Sequence, residues 1–175
     1  MQRFALLFIT ATALLGGRHS ACADAFPLTG PTVPGTRAAL RGNIAAAPAA
    51  APLEVKRAIW AANQLRSKPY RYGGGHSSFN DSGYDCSGTV SYALAAAGVI
   101  RSPMPSSGFK NFGKGGKGKW ITVYARNGHT FAVIAGLRLD TTAWNTMRRE
   151  TGEAPRWRPI PREPRGFVAR HPAGL

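Results

Sequence analysis

Apolar and polar positions recur with different periods along the chain, and the changes of period mark out its elements. After the short basic start Met1-Gln2-Arg3, a predominantly apolar run extends from Phe4 to Leu15. From 24 to about 52 no period is sustained. Pro, Ala, Gly and Thr dominate there, ending in Ala45-Ala46-Ala47-Pro48-Ala49-Ala50-Ala51-Pro52, and the composition predicts a linker, disordered or extended. A helical period begins at Leu53. Val55, Ala58, Ile59, Ala62 and Leu65 trace one face, Glu54, Lys56, Arg57 and Arg66 are among the polar positions, and Pro69 ends the helix. A second amphipathic helix is predicted from Cys86, with Val90, Ala93, Leu94 and Ala97 at helical spacing and Gly98 as the stop. Strand patterns follow at Trp120 to Tyr124, Gly128 to Ile134 and Leu137 to Thr142, with a short closing strand from Gly166 to Arg170. The folded part, 53–175, is thus about 120 residues, enough for one domain with one core.

Ala135-Gly136 has the length of a tight hairpin turn. With a two-residue loop, Phe131 faces Asp140 and His129 faces Thr142. His129, Phe131, Val133, Arg138, Asp140 and Thr142 then share one sheet face, with Asp140 diagonal to His129. A bulge would move Asp140 to the other face.

The basic start, the short apolar run and the small residues Ala21-Cys22-Ala23 before Asp24 read as a secretory signal peptide, 1–23, because the run is too short to span a membrane. The alternative is a lipid-modified Cys22, which asks for an aliphatic residue where His19 stands. Cleavage after Ala23 leaves Cys86 as the remaining cysteine of an exported protein, periplasmic, cell-wall associated or extracellular. A single cysteine makes no internal disulfide, so it is an apolar filler, an intermolecular bridge or a reactive thiol. Its neighbours Asp85, Ser87 and Gly88 are not apolar, which favours the thiol.

The formal charge is +15, with 23 Lys and Arg against eight Asp and Glu, and loss of Arg3 and Arg18 with the signal leaves +13. Such a chain adheres to polyanions. With an export signal, an anionic cell envelope fits better than nucleic acid. Gly113 to Lys119 nearly spells a phosphate-binding loop, but Trp120 stands where Ser or Thr is required, and a strand follows where a helix should. A solvated loop is the reading, and nucleotide binding is excluded. Arg148, Arg149, Arg156, Arg158, Arg162 and Arg165 crowd the stretch 143–165, with Trp157 between two of them. That predicts an arginine-rich surface loop rather than a stacking platform for nucleic acid.

Cys86 falls in the first turn of its helix, where unpaired N–H groups and the helix dipole stabilise a thiolate, the reactive form. A cysteine nucleophile needs a base and a third group to orient that base. Of the four histidines, His19 leaves with the signal, His76 lies in a Gly-Ser loop and is expected to be dispensable, and His171 is near the C-terminus. His129 opens an apolar strand and is the candidate base, with Asp140 as orienter and Thr142, then His171, as the next candidates. No Cys/His/Asp spacing resembles a metal site, and the chemistry asks for no cofactor.

Pro69-Tyr70-Arg71-Tyr72-Gly73-Gly74, then Asp85-Cys86-Ser87-Gly88, then Gly128-His129 opening a strand, resemble the NlpC-like cell-wall cysteine peptidases over roughly residues 53 to 142. The resemblance implies a papain-like α+β fold, with the nucleophile helix packed on a small antiparallel sheet. It implies cleavage of an amide bond in peptidoglycan stem peptides, commonly D-glutamyl to diaminopimelate. It makes Cys86 the nucleophile and His129 the base, and matches Tyr70, Asp85 and Ser87 to residues lining the substrate groove. Tyr72, in the same approach, joins them as a substrate-binding candidate. The strand usually reads His-Val-Gly-Ile-Tyr, but here it is His129-Thr130-Phe131-Ala132-Val133. The third catalytic position is most often histidine, where Asp140 is the nearest polar candidate here. The partners expected are stem peptides and anionic envelope polymers, for a monomer that takes no nucleic acid and has no membrane segment once the signal is cleaved. Two rivals stand beside this: a non-catalytic wall- or polyanion-binding module, and an amidase or acyltransferase on another envelope amide or ester.

Overall fold

The computed structural model describes residues 26–142, 154–158 and 161–175, and in it the chain is a mixed α+β protein with two sheets and few helices. The signal-peptide reading, Cys22, Arg148 and Arg149 lie outside the described residues. The larger sheet has six strands in the order β4 (Lys114–Gly115), β9 (Val168–His171), β5 (Ile121–Arg126), β6 (His129–Ile134), β7 (Leu137–Asp140) and β8 (Arg156–Arg158), each pair of neighbours antiparallel. Alternate residues divide its two faces. Ile121, Val123, Ala125, Ala132, Ile134, Leu139 and Trp157 join a buried cluster with Val55 and Ile59 of helix α1 (Leu53–Ala62) and Val90, Ala93 and Leu94 of helix α2 (Cys86–Ala96). On the opposite face Tyr124 and Phe131 stack with centroids 4.9 Å apart, and Phe167 packs edge-on to Phe131 at 5.1 Å.

The β6–β7 turn is the expected two-residue loop. Ile134 pairs with Leu137, Val133 with Arg138 and Ala132 with Leu139, with no bulge. Both turn residues have positive φ, 47° at Ala135 and 90° at Gly136, as a hairpin turn matched to the strand twist requires. Glycine adopts this freely. Alanine does so at a cost, offset here by two backbone bonds, Ala135 N–H to Trp120 O at 2.7 Å and Ala38 N–H to Ala135 O at 2.9 Å.

Helix α2 is not amphipathic, as its spacing suggested, but buried on nearly every side, from Cys86 through Leu94 and at Ala96. Thr89 and Ser91 tolerate this because each finds a backbone partner. Thr89 Oγ1 donates to Asp85 O at 2.7 Å, and Ser91 Oγ accepts from Met104 N–H at 3.0 Å. Asp85 caps the helix, accepting from Gly88 N–H at 2.7 Å. A 3-10 turn, Asn63–Ser67, extends α1, and a short helix α3, Ser106–Phe109, packs against β5.

The stretch 24–52 is corrected. Within the described residues it is not a disordered linker but a second sheet, with β3 (Ile44–Pro48) between β1 (Thr32–Val33), parallel to it, and the antiparallel β2 (Ala39–Arg41). Ala45, Ala46 and Ala47 are buried and β3 packs on α1. Asn63 secures the strand with two bonds of 2.9 Å, accepting from Ala45 N–H and donating to Ala45 O. Trp60 Nε1 donates to Pro31 O at 3.0 Å. The order comes from partners distant in sequence.

The arginine-rich stretch is corrected in part. Residues 156–158 form β8, with Arg158 and Trp157 buried and Trp157 Nε1 donating to Asn63 Oδ1 at 2.9 Å, so that this tryptophan is neither in a solvated loop nor free to stack on a base. The Gly-Lys loop keeps Lys114, Lys117 and Lys119 exposed, while Lys114–Gly115 pairs along β9 as an edge strand. Among the described residues no helix is long and apolar enough to cross a membrane.

Candidate active site

Cys86 is the first residue of α2, free and buried. What holds it there is the close seating of the Gly73–Gly75 turn on the helix start. A Cβ on Gly88 would overlap the carbonyl oxygen of Gly74, and Gly74 O accepts the Asp85 N–H at 3.2 Å. As the helix's first residue, Cys86 has no intrahelical acceptor for its N–H, and no backbone acceptor meets it among the described residues.

His129, the first residue of β6, is electrostatically coupled to both Cys86 and Asp140. Its Nε2 lies 3.0 Å from Asp140 Oδ1. The diagonal placement expected from the hairpin is therefore realised. With Nε2 on the carboxylate, Nδ1 is the ring nitrogen left for the thiol. The Asp140 side chain is fully buried and four donors surround it. Oδ1 takes His129 Nε2 and the Thr142 N–H at 3.0 Å, while Oδ2 takes Arg138 Nη1 at 2.9 Å and Arg162 Nη1 at 3.0 Å.

Arg162 was not foreseen as part of the site. Its Nη1 also lies 3.0 Å from His129 Nε2, and its guanidinium sits over the Phe131 and Phe167 rings at 5.4 and 5.2 Å. A guanidinium only donates. Nε2 therefore either accepts from Arg162, which puts the ring proton on Nδ1, or donates to Asp140, which leaves Nδ1 free to accept from the thiol. The ionised carboxylate makes the stronger bond and selects the second tautomer.

Burial, the largest influence on His129, pulls its pKa down, but the hydrogen bonds to Asp140 and Cys86 outweigh it and hold the imidazole above its ordinary 6.5. Burial likewise pushes Asp140 up, but the His129 and Thr142 bonds and the charges of His129 and Arg162 prevail and hold it below 3.8. The histidine contribution to stability is therefore complete below about pH 6.5 and is lost as pH rises through the raised folded value. The aspartate contribution is complete above about pH 3.8 and is lost as pH falls through the depressed one. Wild-type Tm, relative to that of His129→Gln, should peak between these limits and decline on both sides. A difference between the two proteins that does not change with pH would exclude the linkage.

His76 is the second residue the sequence reading set aside. Its Nε2 lies 3.0 Å from Asp85 Oδ1, Asp85 Oδ2 and Ser87 Oγ. The available signal was its position directly after three glycines, on the loop that seats on α2. No comparable signal marked Arg162, whose place depends on how the chain after β8 returns over the sheet.

Of the substrate-binding candidates, Asp85 and Ser87 flank Cys86 but are buried, and Ser87 Oγ donates to Asp85 Oδ1 at 3.1 Å. Tyr70 is half-buried and bridges to Tyr84. Tyr72 is 94% exposed and stands in solvent. His171 Nδ1 is 3.1 Å from Gly116 O, on the β4–β9 edge. Among the described residues no group of three or more His, Cys, Asp or Glu side chains is arranged to hold a metal ion. Cysteine, imidazole and carboxylate in series, with the first N–H of a helix at the cysteine, are groups of the kind that acyl transfer uses. No family model, curated protein or solved structure matches the chain.

Proposed function

We propose that the protein is an exported peptidoglycan hydrolase of the papain-like, NlpC-like kind, cleaving a stem-peptide amide, D-glutamyl to diaminopimelate, through a Cys86 thioester. The observation that carries the reading is the Cys86–His129–Asp140 series, with its carboxylate buried and its imidazole held above its ordinary pKa. His129 Nδ1 takes the thiol proton as Sγ attacks the amide carbon, and Asp140 stabilises the imidazolium. The Cys86 N–H receives the oxyanion. The imidazolium then protonates the departing amine. Water, deprotonated by His129, attacks the thioester, releasing the acid and restoring the thiol. The net charge of +15 and the secretory start favour an anionic wall as the place where this happens.

Digestion of purified wall, with mass spectrometry of the released muropeptides, tests the proposal and names the bond cut. A second reading, a wall-binding module without catalysis, is favoured by the exposed Lys114, Lys117 and Lys119. It predicts co-sedimentation with wall and no released fragments in the same assay.

A further inference from the structure

His76, Asp85 and Ser87 close a hydrogen-bonded triangle around the nucleophile, since Asp85 and Ser87 are its immediate neighbours in the chain. The carboxylate at its centre is committed elsewhere as well. Oδ1 caps Gly88 N–H at 2.7 Å, and Oδ2 accepts the Gly73 N–H at 3.2 Å. The orientation of Asp85 therefore fixes both the glycine turn and the first turn of α2, and with them the direction of the Cys86 side chain and N–H. Ser87 Oγ–H already donates to this carboxylate, so the Nε2 proton of His76 is the remaining side-chain donor that bridges loop and helix. Asp85 and Ser87 are 6% and 3% exposed, whereas the His76 side chain is 32% exposed. The member of the triangle that reaches the surface is thus the histidine.

We propose that His76 is a positioning residue for the nucleophile, acting through Asp85 and Ser87 to aim the Cys86 thiol and its N–H at one point. The proposal rests on the reading of Cys86 as nucleophile, and its test does not require a wall substrate.

The experiment is the second-order rate of alkylation by iodoacetamide, followed at the Cys86 peptide by mass spectrometry, with Tm measured on the same samples. His76→Ala is expected to slow alkylation about tenfold, since a misplaced reacting atom of this kind costs one to two orders of magnitude. His76→Gln, whose side-chain amide nitrogen can replace Nε2, is expected to return the rate to within about threefold of wild type. Should His76→Ala fail to fold, the comparison is His76→Gln against His76→Asn, whose shorter amide does not reach Asp85. Fast Gln and slow Asn support the proposal, and equal rates overturn it. A Tm loss in His76→Ala with an unchanged alkylation rate also overturns it, as does a Gln variant as slow as Ala. Wall digestion run in parallel keeps the two readings apart. Absence of muropeptide release by wild type would remove the hydrolase assignment, while the alkylation series would still decide the role of His76.

Discussion

Asp140→Ala should lose both turnover and stability, and by large amounts. The carboxylate is fully buried between Arg138, Arg162 and His129, so its removal strands buried positive charge. Breaking a buried pair in this way costs about 3–5 kcal/mol. In a chain of this size that lowers Tm by on the order of 10 °C. Turnover on wall should fall by on the order of 10²-fold or more, by the logic of catalytic triads. The proximity of Arg162 to His129 gives the loss a specific cause. Without the carboxylate, Nη1 of Arg162, 3.0 Å away, becomes the partner of Nε2. The ring proton then sits on Nδ1, and the imidazole can no longer accept from Cys86. Asp140→Asn keeps the shape but not the charge, and should fall on the same side in both measurements. Lowered Tm with full specific activity would reduce Asp140 to a structural counter-ion. Lost turnover at unchanged Tm would refute the charge-balance argument and leave the tautomer argument standing.

Cys86→Ala should also abolish wall hydrolysis, but it should spare the fold. Removal of a nucleophile costs on the order of 10⁴-fold or more in turnover, because the remaining residues of the series cannot act without it. The structural cost is small, since one buried sulfur is lost from a site whose helix is capped by Asp85 and seated by Gly88. A Tm change of only about 2–4 °C is expected for a loss near 1 kcal/mol. Cys86→Ser should be inactive as well, because a hydroxyl is a far poorer nucleophile where a thiolate is required. Muropeptide release undiminished in both variants would end the cysteine mechanism.

These two expectations draw differently on sequence and structure. The position of Cys86 was legible locally: the Asp-Cys-Ser-Gly run supplies a helix cap, and the apolar spacing after it supplies the helix. The His129–Asp140 diagonal was legible as well, because a two-residue turn and period-2 alternation fix a hairpin register without further information. Both depend on residues no more than 11 positions apart, where propensity and turn geometry act directly.

Tertiary packing decided the rest. Ala45 to Ala47 have no periodicity and no strong strand preference, and they become a strand because Asn63 bonds both backbone groups of Ala45 and α1 covers them. Cys86 through Leu94 show a helical stripe in sequence, yet Thr89 and Ser91 are buried too. Thr89 satisfies its hydroxyl locally on the Asp85 carbonyl of its own helix, whereas Ser91 depends on the Met104 backbone that the fold brings to it. Arg162 follows Asp140 by 22 residues in a proline-rich stretch, and only the return of the chain over the sheet sets its guanidinium beside Asp140 and His129. His76 reaches Asp85 because Gly74 and Gly88 allow two backbones to touch. Sequence by itself determined the place of Cys86, its helix and the hairpin that carries His129, since these rest on short-range geometry. Which charges surround His129, and which loop seats on the start of α2, depend on burial and long-range hydrogen bonds, and these exist only once the chain has closed on itself.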